Sequence, residues 1–162
     1  MKTFNNFDAF ANHLQKVISE YKAREFKVLD FLGKVIQEES KHKIGHIQVG
    51  GGPFSNWQDL AESTKNDKQR RGYVFNSEHN PLYRTGHLQN SISHIVNRAA
   101  HRVHIGSPLD EALYQEEGTA NIPARSFLGL TMFKEKYFIK RTLSLFLSDW
   151  IAGQRMQLRR IL

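Results

Sequence analysis

Asn80-Pro81-Leu82-Tyr83-Arg84-Thr85-Gly86-His87-Leu88-Gln89-Asn90-Ser91-Ile92 is the stretch on which the fold turns. Pro81 fixes its own φ and pushes Asn80 out of the helical region. Gly86 permits a backbone conformation that a β-carbon opposes. From Leu88 the chain alternates, with Leu88, Asn90, Ile92, His94 and Val96 on one side and Gln89, Ser91, Ser93, Ile95 and Asn97 on the other. This reads as a turn feeding a half-buried strand. A second run, Arg102-Val103-His104-Ile105-Gly106, stops at Ser107-Pro108, and the break at 98–101 has the length of a hairpin loop. An antiparallel hairpin is therefore expected at the centre.

Upstream, Phe7, Phe10, Ala11, Leu14, Val17, Ile18 and Tyr21 recur at three- and four-residue steps, an amphipathic helix that Asn5 or Asn6 caps. Arg24 and Glu25 interrupt the stripe, which resumes with Val28, Phe31, Leu32, Val35 and Ile36. Either one long helix bends here or two helices meet near residues 21–25, and two helices let both stripes face one core. Phe7, Leu14, Tyr21, Val28 and Val35 also keep a seven-residue spacing, but polar residues occupy the middle of that seam, which weakens a coiled-coil reading. Lys41, His42 and Lys43 followed by Gly45 form a helix end.

Ser55 with Gln58 three residues later has the form of a capping box, so a short helix is expected from Ser55, with Trp57, Leu60 and Ala61 on its core face. The charged run 65–72 reads as a solvated helix end or loop, and Tyr73, Val74 and Phe75 as a brief strand. After the hairpin, residues 109–117 read as one or two helical turns stopped by Gly118. Residues 119–123 read as extended. Residues 124–131 read as a third strand or the lead into a last helix over about 132–150. The layout is an α+β domain over residues 1–153, with N-terminal helices and a C-terminal helix on a small antiparallel sheet, and a basic tail at 154–162.

With 162 residues and no cysteine, the chain can bury a core without disulfides and has no thiolate metal site. No apolar run approaches the roughly 18 residues of a membrane span. The N-terminus has no apolar core after Lys2 and is not read as a secretory signal. The net charge is +7, and from Met132 onward Lys134, Lys136, Lys140, Arg141, Arg155, Arg159 and Arg160 stand against only Glu135 and Asp149. Two readings compete: a surface that meets an anion such as nucleic acid, or a solvated helix end whose cations complement the helix dipole. The basic residues are not clearly interleaved with exposed aromatics, as base stacking requires, which favours the second reading.

The search for chemistry is negative. Gly50-Gly51-Gly52 is followed by Pro53-Phe54, where a phosphate-binding loop needs lysine and a hydroxyl. His42 and His46 are four apart but flank Gly45, and His101 and His104 point to opposite faces of a strand. Ser91 and Ser126 lack a nucleophile elbow. The adjacent Glu116 and Glu117 do not face one another on a helix. The expectation is a non-enzymatic protein with no catalytic residues, cofactor or metal.

Three segments together carry a resemblance. The first is Gly52-Pro53-Phe54-Ser55-Asn56-Trp57-Gln58-Asp59-Leu60 with Ser63-Thr64. The second contains Leu82, Thr85, Gly86, Leu88, Ser91 and Ile92. The third contains Tyr114, Glu117-Gly118-Thr119 and Ile122-Pro123-Ala124-Arg125-Ser126-Phe127-Leu128-Gly129-Leu130. In this order the segments resemble the virion morphogenesis, or tail-completion, proteins of tailed bacteriophages, including the Mu-like group, over about residues 33–150. The chain departs in its long 71–80 loop and in Ser126, where a second proline is common. The resemblance implies a structural role at the head–tail junction or tail end, often in a ring. The implied partners are other virion neck and tail proteins and further copies of the chain, with weak nucleic-acid contact and no membrane. It implies a place in the virion, and in the host cytoplasm during assembly. Arg84 and Arg125 beside turns, Gly51 and Gly52, and the tail residues Arg155, Arg159 and Arg160 are the candidate interface. For the two turn arginines a bond within their own subunit is the alternative. A basic nucleic-acid-binding domain is the rival function.

Overall fold

Asn6 starts the first helix, its side-chain oxygen accepting the backbone N–H of Ala9 at 2.8 Å. The computed structural model describes residues 5–51, 54–76 and 78–151, the last three by backbone alone. Its elements in order are α1 (Phe7–Lys43), α2 (Glu62–Arg70), α3 (His87–Ser91), β1 (Ser93–Asn97), β2 (Arg102–Gly106), α4 (Asp110–Glu117) and α5 (Met132–Ile151). The fold is α+β: a long N-terminal helix, a C-terminal helix and a two-stranded antiparallel sheet.

The N-terminal region is one helix of 37 residues, about 55 Å long at 1.5 Å per residue. Arg24 and Glu25 do not break it, because the hairpin loop meets α1 at that point. His101 bonds Glu25 at 2.8 Å, and its ring stacks on Phe26. The polar gap in the stripe is a contact and not a hinge.

β1 and β2 pair antiparallel from Ser93↔Gly106 to Asn97↔Arg102. His94, Val96, Val103 and Ile105 turn inward, while Ser93, Ile95, Arg102 and His104 face out. The inner face lies directly on α1, and Gly33 makes the approach possible. A Cβ there would stand 2.6 Å from the His94 ring and 2.7 Å from a Val103 methyl. The His94 ring nitrogens also reach Gln37 at 2.6 Å and Asp30 at 3.2 Å, fixing the hairpin along two further turns. Helix α5 packs on α1, where Tyr21 meets Phe146 edge-on at 5.5 Å.

The core lies at the C-terminal end of α1. It gathers Ile44, Trp57, Leu88, Ile92, Ala112 and Phe127. Each of the three motif segments supplies at least one of these side chains.

Three further expectations are corrected. The residues after Gly86 form a helical turn and not the start of the strand. Gly86 sits at φ 81, Asn90 N donates back to Gly86 O at 2.9 Å, and the strand begins at Ser93. Leu88 and Ile92 are four apart, which suits a helix face as well as a strand. No helix opens at Ser55: Trp57 N donates to Gln48 O and the carbonyls of Gln58 and Asp59 accept from Arg125, so the helix starts at Glu62. Tyr73–Phe75 is not a strand; Phe75 N bonds the Asn80 side chain. Of the two readings of residues 124–131, the structure takes the second: they are an irregular lead into α5 and not a third strand.

Candidate functional site

The three motif segments meet around one open groove. It is lined by Gln58, Asp59 and Leu60 from the first, Leu82, Tyr83 and Arg84 from the second, and Ile122, Pro123 and Arg125 from the third, with Lys68 between them. Three basic side chains, each at least nine-tenths buried, hold these segments together.

Lys68 holds the second segment. Its ammonium donates to His79 O at 2.9 Å, to Tyr83 O at 2.7 Å and to Asn80 O. Those carbonyls converge because His79, Asn80 and Leu82 all adopt positive φ (56°, 49° and 62°). For a leucine this conformation is costly, on the order of 1–3 kcal/mol, and persists only where surrounding contacts enforce it. Asn80 adds to the enforcement, its side-chain oxygen accepting from Phe75 N and Asn76 N, while Asn76 ties the loop to Gly45 O. Burial pushes the Lys68 ammonium down to about 8, with Arg84 and Arg125 adding repulsion.

Arg125 joins the third segment to the first. Its guanidinium donates to Gln58 O at 3.2 Å and Asp59 O at 3.3 Å, and burial lowers its proton affinity. It is thus engaged inside its own subunit. Lys43, the last residue of α1, donates to Gly129 O at 2.9 Å and stands 3.4 Å from the Phe54 ring centroid. It too is pushed down to about 8 by burial, which Glu116 and Glu39 partly offset. Gly129 N returns a bond to Ser40 Oγ, so α1 grips this residue twice.

The third segment is built to the same density. The Glu116 carboxylate accepts the N–H groups of Phe127 and Leu128, and Ser126 Oγ donates to Glu116 O. The Trp57 indole donates to Ser126 O at 3.3 Å. Thr119 Oγ1 caps the turn at Ile122 N, and Thr119 N donates to Ile122 O. Gly118 takes φ 80 at the end of α4. Glu117, Thr119 and Ala124 are exposed, Pro123 is half-buried, and Phe127 is fully buried. In the second segment, Thr85 is exposed and the Ser91 hydroxyl meets that of Ser107 at 2.7 Å.

Arg84 is exposed, its guanidinium 5.2 Å from the Tyr73 ring centroid. Gly51 is exposed and bridges to Phe54. Gly52 and the tail arginines Arg155, Arg159 and Arg160 lie outside the described residues, as does the tail as a whole.

Lys68 and Lys43 were missed by reading charge as solvation. A signal existed for the first. Helix α2 contains no apolar residue at all, so only a polar contact can dock it. The sequence reading also underrated α5. Phe133, 81% exposed, and Tyr137 stand among the exposed Lys134, Lys136, Lys140 and Arg141, with Arg141 donating to the Tyr137 hydroxyl at 2.6 Å. Aromatics and cations do interleave there.

Among the described residues, no group of three or more histidines and carboxylates is placed to hold a metal, and no helix is long and apolar enough to cross a membrane. No protein-family model, curated protein or solved structure matches the chain. The likeness to phage morphogenesis proteins accordingly rests on the three motif segments alone.

Proposed function

We propose that this chain is a structural protein of virion assembly in a tailed phage or prophage. It acts in tail completion or head–tail joining, through protein–protein contacts in an oligomeric ring. The observation that carries the reading is the convergence of the three motif segments. They lie apart in sequence, follow the order of the phage family, and here build one core and one groove, held by Lys68, Arg125 and Lys43. Conformations fixed this firmly in exposed loops suit a part that must present a rigid edge to its neighbours.

Deleting the gene from its phage and imaging the lysate tests this reading. Separate heads and tails, or tails with unfinished ends, are expected. A normal yield of joined, infectious particles would overturn it.

A basic nucleic-acid-binding domain is the second reading, and the cation–aromatic surface of α5 favours it. It predicts duplex or single-stranded DNA binding that falls steeply between about 50 and 200 mM salt. Salt-insensitive or absent binding would remove it.

A further inference from the structure

We infer that the groove between the three motif segments is a docking site for a short acidic segment of another virion protein, with Arg84 and Arg125 binding an aspartate or glutamate set between apolar residues. The groove is about 510 Å³ in volume, within the range of about 300–1,000 Å³ for sites that take small ligands, so it has room for a few side chains. Its charged lining is Lys68, Arg84, Arg125 and Asp59. The one carboxylate, Asp59, bonds Lys65 at 2.8 Å, and the three cations outnumber it. They also stand close enough that Arg84 and Arg125 each repel the Lys68 ammonium.

The donors in the groove are not all used. Lys68 gives its three to the carbonyls of His79, Asn80 and Tyr83, and so adds charge alone. Arg125, only 6% exposed, commits Nε and Nη2 to Gln58 and Asp59, while its Nη1 has no partner among the described residues. The exposed Arg84 stands over the Tyr73 ring and has no carboxylate partner among the described residues. Two guanidinium groups with open donors suit a carboxylate, whose two oxygens match their planar fork. Leu60, Leu82, Ile122 and Pro123, all half-buried, wall the groove and suit apolar neighbours of that carboxylate. A nucleic-acid strand fits less well, because its phosphates would pass Asp59 and Glu62, which share Lys65. The chain's own charge of +7 favours an acidic partner over a second copy. The inference rests on the assembly reading and names the partner chemistry of its groove.

The test is nuclear magnetic resonance on the full chain, titrated with capped hexapeptides that carry one glutamate or aspartate among leucine, valine and proline, and with their amide twins. At millimolar concentration the acidic peptides should shift the side-chain resonances of Arg84 and Arg125 and the amides of Leu60 and Ile122. They should bind about tenfold or more tighter than their twins, the worth of one charge-assisted bond, and Arg84→Gln should remove that preference. If this variant fails to fold, the wild type decides: rising salt should erase the preference. No binding, equal binding of the amide twins, acetate binding as tightly as the peptides, or a single-stranded oligothymidylate binding the groove more tightly would each overturn the inference. So would shifts at these residues that appear with protein concentration alone, because a second copy would then be the occupant. Detecting the chain in purified particles separates the two readings. A chain found in particles whose groove ignores the peptides defeats this inference alone, and a chain that binds them but is never found in particles defeats the assembly reading alone.

Discussion

The ammonium of Lys68 lies 2.7 Å from the carbonyl oxygen of Tyr83, fifteen residues further along the chain. With its bonds to His79 and Asn80, it holds a loop whose backbone repeatedly enters the left-handed region. Desolvating the ammonium costs on the order of 3 kcal/mol, from the fall toward about 8. The three hydrogen bonds that it donates offset only part of that cost, but without them the buried carbonyls lose a partner. Lys68→Met removes the donor from the carbonyls of His79 and Tyr83 and leaves Asn80 O with Tyr83 N alone, and should cost about 2–4 kcal/mol in urea unfolding. A loss under 0.5 kcal/mol would show that the loop holds its shape without the lysine.

Gly33→Ala tests the seat of the hairpin on α1. At an open helical position this change gains roughly 0.5–1 kcal/mol. Here the new methyl meets His94 and Val103 inside 3 Å, and overpacking of this kind costs about 1–3 kcal/mol. The sign of the change in melting temperature decides: it should fall.

Thr142 offers the opposite test. It is fully buried in α5, and its hydroxyl has no hydrogen-bond partner among the described residues. Burying an unpaired hydroxyl costs about 1–3 kcal/mol, so Thr142→Val, which keeps the shape, should raise stability by about 1 kcal/mol. A lower melting temperature would mean that the hydroxyl is satisfied in solution.

Burial of Lys43 and Lys68 also predicts a pH dependence. Both are lowered from 10.5 to about 8. Below about pH 8 both are charged in the folded and unfolded chain alike, and the cost of burial is fully present. Between about pH 8 and 10.5 the folded chain gives up protons that the unfolded chain keeps, so these groups raise stability with pH across that window. Comparing the wild type with Lys43→Met isolates the share of Lys43. The variant's stability should climb less steeply over that range, and an identical slope would contradict the burial effect.

Much of this was legible in the sequence, for identifiable reasons. The hairpin loop and β2 fall where the short break, the alternation and the glycine end place them, whereas β1 begins five residues after Leu88, where the alternation starts. The Asn6 cap, the end of α1 and helix α5 were legible in the same way. The 87–92 turn was not, because Leu88 and Ile92 satisfy a helix and a strand equally. The continuity of α1 was hidden because the partners of Glu25 and Phe26 come from His101, far along the chain. The groove was only half legible: its motif segments could be quoted, but not the buried lysines that join them. A lysine bonded to carbonyls looks like any other lysine in a sequence.

The most direct test of the central claim is quantitative mass spectrometry of purified particles from the phage or prophage that encodes this chain. The account predicts the chain at a small, fixed number of copies per particle, co-purifying with the neck or tail end after heads and tails are separated. Its absence from infectious particles, at a sensitivity that detects their other minor proteins, would contradict a structural role in the virion.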